Sequence, residues 1–77
     1  MTYTLVIYDR AAGRLLSREP FTQRRDALRA RFRAERRYRG QEGNIEVVVL
    51  AARTDADLVR THSRYFFSLQ ELAEQSA

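Results

Sequence analysis

Residues 23–39 read QRRDALRARFRAERRYR. The stretch is rich in strong helix formers and holds neither Pro nor Gly, which predicts one long helix over 23–39. Thr22 precedes it as the expected N-cap, with Asp26 in the first turn, where a negative charge opposes the positive end of the helix dipole. Gly40 follows at the place of a C-cap glycine. The helix carries eight arginines against Asp26 and Glu35, a surplus of six positive charges. The whole chain has a net charge of +4, so everything outside the helix sums to −2.

At about 100° per residue, Leu28 and Phe32 share a direction with Phe21 and are expected to meet the sheet, with Ala27, Ala34 and Tyr38 along one flank. Arg25, Arg29, Arg33, Arg36 and Arg37 gather on the opposite side, facing solvent. Glu35 falls near the apolar stripe, within reach of Arg31 or Arg39.

A helix with one apolar side needs a partner layer. Upstream, residues 2–9 (TYTLVIYD) are β-branched and aromatic, and residues 14–19 (RLLSRE) form a second extended run. Between them lies DRAAG, where Asp9 starts a turn and Gly13 takes the left-handed position of a bulged hairpin. Pro20, which cannot donate to a ladder, is expected to end the second strand. Downstream, residues 44–52 (NIEVVVLAA) make a third strand. Thr54 with Asp57 forms a capping box opening a short helix over 55–63, and Ser68 with Glu71 repeats it for a last helix over 69–76. Residues 64–67 (RYFF) fit an extended link, an edge strand or a helical continuation.

The expected architecture is α+β: a two-layer ββαβ(αα) fold in a single domain, residues 1–77. It has a three-stranded antiparallel sheet of order 2-1-3, one long helix on one face and short C-terminal helices. The order places the most apolar strand centrally, and the crossover through the helix is right-handed. Both sheet faces are apolar: Tyr3, Leu5 and Ile7 with Ile45, Val47 and Val49 on one, Val6 and Tyr8 with Val48 and Leu50 on the other. A sheet with one wet face would alternate more cleanly. The second face therefore calls for a cover. The segment bearing Leu58, Val59, Tyr65, Phe66, Phe67, Leu69 and Leu72 can fold back as a lid, or a second copy can pack there as a homodimer.

Composition narrows the function classes. A chain of 77 residues buries a small core, and it has no Cys, so neither disulfides nor thiolate metal sites can support it. One His and scattered acids supply no metal set, and no cofactor is expected. The N-terminus lacks the pattern of a signal peptide and no apolar run is long enough for a bilayer, so the expected location is cytoplasmic, without a membrane partner. All fourteen basic residues are Arg. Codon bias explains that, and so does selection for a planar, bidentate cation suited to phosphates and carboxylates.

No catalytic constellation is legible. His62, Ser63 and Asp57 are close in sequence, but five residues on a short helix separate Asp57 from His62, poor geometry for a triad. Asp55 and Asp57 are explained by capping, and Glu46 between strand apolars suits a cross-strand pair better than acid–base work with Glu42. Gly40 and Gly43 fit neither phosphate-loop pattern. Tyr3, Tyr8, Tyr38 and Tyr65 read as amphipathic core-edge residues. The expected function is that of a small non-enzymatic binding or interaction module, a possible homodimer or partner of an acidic protein. The alternative is a nucleic-acid binder that sets Arg25, Arg29, Arg33, Arg36 and Arg37 against phosphates. No helix-turn-helix, zinc-finger or KH pattern supports that alternative.

Overall fold

The computed structural model describes residues 1–67; the expected last helix over 69–76 lies outside them. The elements run β1 (Thr2–Asp9), β2 (Arg14–Phe21), α1 (Arg24–Arg37), β3 (Ile45–Ala52), α2 (Asp55–Thr61) and a 3-10 turn (Ser63–Tyr65). The sheet is antiparallel with order β2-β1-β3, so the most apolar strand does lie in the middle.

The β1–β2 hairpin closes as its residues dictate. The Ala12 N–H donates to Asp9 Oδ1 at 3.0 Å, and Gly13 sits at φ +63°, a conformation that costs a side-chain-bearing residue about 1 kcal/mol or more. The register slips between Ile7 and Tyr8, which pair with Ser17 and Leu15. Leu16 is the extra residue of a bulge and is more than a third exposed. Contrary to expectation, Pro20 does not end β2, which runs on to Phe21. The reason is its phase. Arg10 donates its N–H to the Asn44 carbonyl, so the even-numbered residues of β1 bond to β3. Thr4 is one of these and stands opposite Pro20. The missing N–H therefore falls on the outer side of β2, where no ladder bond is due.

On one face, Leu5, Ile7 and Ile45 pack with Ala30 and Ala34 of α1, ringed by Phe21, Tyr38, Val47 and Val49. The helix meets the sheet through Ala27, Ala30 and Ala34, all buried, and not through Leu28 and Phe32. Leu28 is half-buried, and Phe32 is 61% exposed. Three alanines present a smooth stripe that brings the helix axis close to the sheet, so bulk at Leu5, Ile7 and Val47 fills the layer from the strand side. Two further boundaries move. Gln23, not Thr22, is the N-cap, and it makes no side-chain cap bond. The helix ends at Arg37, with Tyr38 as C-cap and Gly40 left-handed at φ +88°.

The second face is covered by the chain itself. The Thr54 side chain accepts the Asp57 N–H and starts α2, which lays Leu58, buried, towards β3. Residues 64–67 form no strand: Ser63–Tyr65 is a 3-10 turn. Tyr65 is buried and meets Tyr8 edge to face, ring centroids 5.3 Å apart. Val6, in the middle of this face, is fully buried.

Candidate anion-binding face

Helix α1 stands on the sheet through alanines, so its charge must lie elsewhere. Taking 3.6 residues per turn, Arg25, Arg36, Arg29, Arg33 and Arg37 fall in that angular order within about 120° of arc, its centre turned about 120° away from the Ala34 direction. All five are exposed. Arg25 and Arg37 are twelve residues apart, so the row is about 18 Å long at 1.5 Å per residue. Asp26 shares the arc and is its one acid. Phe32 falls just outside it: four residues from both Leu28 and Arg36, it lies between the half-buried and the fully solvated sides. The same 100° spacing, followed one step further, would have placed it there from the sequence.

The decisive feature is what these arginines do not touch. Among the described residues the ion pairs are Arg10–Glu46, Arg18–Asp55, Arg31–Glu35, Arg60–Asp57 and Arg64–Glu46. None of Arg25, Arg29, Arg33, Arg36 or Arg37 is among them. Arg31, the helix arginine that does pair, holds Glu35 at 2.6 Å one turn on, and this removes Glu35 from competition for the row. Asp26 at the first turn and Arg36 and Arg37 at the last also suit the helix dipole.

A second cluster, Glu46 with its partners, sits across the sheet and was not foreseen as a unit. Glu46 opposes Tyr8 on the lid side of the sheet, and its side chain is only 10% exposed. It accepts from Arg10 Nε at 3.0 Å, from Arg64 Nη2 at 2.7 Å and from the Tyr65 hydroxyl. Burial by itself would push the Glu46 carboxyl up. The bonds from Tyr65 and Arg10, with the charges of Arg64 and Arg10, outweigh it and hold the group below its ordinary value. Burial, then the bond to Glu46 and its charge, push the Tyr65 phenol up to about 12. A carboxylate held ionised and a phenol held protonated are shifted away from neutral pH, the wrong direction for a general base and a general acid. The cluster is a clamp: it ties the 3-10 turn to β3 and to the end of β1. Arg18 does likewise further along, bonding Asp55 while its guanidinium lies 4.7 Å from the Phe66 ring centre.

The remaining chemistry-bearing residues stay apart. Asp57 Oδ1 accepts from Arg60 at 3.2 Å, while half-buried His62 caps the end of α2, so no triad assembles. The Glu42 carboxylate folds back onto the Gly40 N–H at 3.0 Å. Among the described residues no group of three or more His, Asp or Glu could hold a metal, and no helix is long and apolar enough to cross a membrane. An open concavity of about 690 Å³ runs between α1 and the free edge of β3, lined by Phe32, Arg36, Arg39, Glu42, Ile45 and Val47 among others.

No family model, curated protein or solved structure matches this chain.

Proposed function

We propose that the protein is a small non-enzymatic binding module whose working surface is the solvent face of α1, and that this face takes the phosphate backbone of a nucleic acid. The observation that carries the reading is that, among the described residues, none of Arg25, Arg29, Arg33, Arg36 and Arg37 makes an ion pair, whereas Arg10, Arg18, Arg31, Arg60 and Arg64 each do. Guanidinium groups in a row on a helix, their spacing set by its backbone, are available for charge-assisted bonds to phosphates, and their planar forks lose less freedom per bond formed than lysine ammonium groups would. The clamp at Glu46 supports the non-enzymatic part, because this cluster, with its shifted Glu46 and Tyr65, is tuned for holding and not for proton transfer.

Such a surface reads charge and spacing, not base identity. Affinity for mixed-sequence DNA and RNA should fall linearly with salt on logarithmic axes, with a slope of about −3 to −4 if four or so phosphates are neutralised. Fluorescence anisotropy with labelled single- and double-stranded probes, at low and moderate salt, measures this. No anisotropy change at low salt for any probe would remove the reading. Binding to poly-glutamate in preference to every nucleic acid would turn it into an acidic-protein module.

A further inference from the structure

The sheet has two edges, and they are built differently. Along β2 the outer side carries Pro20 in place of an N–H, Arg18 folded over Phe66, and the bulged Leu16. Those are the devices that stop another strand from adding. Along β3 nothing of the kind appears among the described residues. The Asn44 carbonyl accepts from Arg10, so Asn44, Glu46, Val48, Leu50 and Ala52 face β1 with their backbone groups. The odd-numbered residues face outward. The Ile45 N–H is already taken by the Gln41 carbonyl at 2.8 Å. What remains is a free run at Val47, Val49 and Ala51, each with an N–H and a C=O pointing away from the sheet.

We propose that β3 pairs antiparallel with β3 of a second copy about a two-fold axis through Val49, joining the two sheets into one of six strands. The register follows from the free run. Val49 is its centre, so Val49 opposes Val49 and Val47 opposes Ala51 of the second copy. The three outward residues of each chain are then satisfied and none is left over. Antiparallel partners share a face, so both α1 helices lie on the same side of the joined sheet.

Three features of the structure fit this occupant. Phe32 is 61% exposed and lines, with Val47, the concavity at the free edge of β3. In this register it lies over Ala51 of the second copy, a small exposed residue that leaves room for a ring. Arg53, just past the strand and in no ion pair among the described residues, is brought opposite Ile45 of the second copy, beside the exposed carboxylate of Glu42. The groove walls themselves carry Arg10, Arg36 and Arg39 against Glu35, Glu42 and Glu46. Signs are balanced there, which suits a copy of the same surface better than a strand of one charge. The pairing does not depend on any ligand at the outer face of α1.

Sedimentation equilibrium from the low micromolar range to several hundred micromolar tests it. The wild type should approach 18 kDa, twice the 9.0 kDa chain. Ala51→Pro removes one outward N–H and leaves the β1–β3 ladder whole, and Phe32→Ser removes the exposed ring. Each should raise the dimer dissociation constant at least about tenfold, with an unchanged far-ultraviolet circular dichroism spectrum. A wild type that stays at 9.0 kDa throughout, or a dimer indifferent to both substitutions, overturns the proposal. Should Ala51→Pro fail to fold, hydrogen exchange of the wild type decides. Amides of Val47, Val49 and Ala51 must be protected at high concentration and fast at low concentration; fast exchange at every concentration overturns the pairing.

Discussion

Arginine serves two opposite purposes on the two sides of this sheet. On the lid side Arg10 and Arg64 converge on Glu46, and Arg18 reaches Asp55 and the face of Phe66. There each guanidinium is a strut between elements far apart in sequence. On α1 the same residue type stands in a row with no ion-pair partner among the described residues, and the α1 pair Arg31–Glu35 lies off the row. The difference comes from where the acids are. Glu46 is fixed by its register opposite Tyr8, and Asp55 by its place in the first turn of α2. Neither can reach over the sheet to α1. The chain thus uses Glu46 and Asp55 as cross-element partners on the lid side and leaves the outer face of α1 cationic.

Several measurements would break or sharpen that contrast. The largest effect is expected from Arg25, Arg29 and Arg33 changed together to Gln. Nucleic-acid affinity at low salt should fall by about a hundredfold or more, and the salt slope should shrink by about 2 to 3. The melting temperature should barely move, since solvated side chains without partners contribute within about 0.5 kcal/mol. A large loss of stability instead would mean that the row has structural partners after all.

Glu46→Ala should act in the opposite sense. It strands Arg10, Arg64 and the Tyr65 hydroxyl together. Both arginines are about half exposed, so water recovers part of the loss, and the expected cost is about 2 kcal/mol. In a domain of this size that is roughly a 10 °C fall in melting temperature, with nucleic-acid binding by the folded protein unchanged.

Acid denaturation reports the same clamp. The folded state holds Glu46 below its ordinary 4.5, so it binds fewer protons than the unfolded chain as the pH drops beneath that value. The stability this group contributes is present above about pH 4.5 and lost as the pH falls through the depressed folded value. Urea midpoints taken from pH 6 downwards should therefore decline less in Glu46→Gln than in the wild type. The smallest effect concerns Thr54→Ala, which removes the side-chain bond to the Asp57 N–H. It should cost about 1 kcal/mol and show first as faster amide exchange in α2.

Much of the fold was legible in residue order alone. Asp9 and Gly13 specify the hairpin because few residues tolerate φ near +60°. The β-branched runs at 2–9 and 45–52 specify strands, and the unbroken 3.6-period segment specifies α1. Those signals are local, carried by backbone sterics and side-chain periodicity. The cationic row was legible for the same reason, since spacing on a helix is fixed once the helix exists.

Which stripe of α1 touched the sheet was not legible. Leu28 and Phe32 are more apolar than Ala27, Ala30 and Ala34, yet the alanines are buried, because the helix position is set by how closely a sheet already bearing Leu5, Ile7, Val47 and Val49 lets it approach. Pro20 inside β2 depended on which side of the strand lacked a partner, a matter of ladder phase. The Glu46 clamp joins residues 10, 46, 64 and 65, which only the register of β1 against β3 and the path of the 3-10 turn bring together. The sequence by itself determined the elements and the charge they carry, because those follow from each residue and its near neighbours. Tertiary structure alone decided that Arg10, Arg18 and Arg64 found carboxylates, because that depends on distances across the sheet that no local pattern encodes.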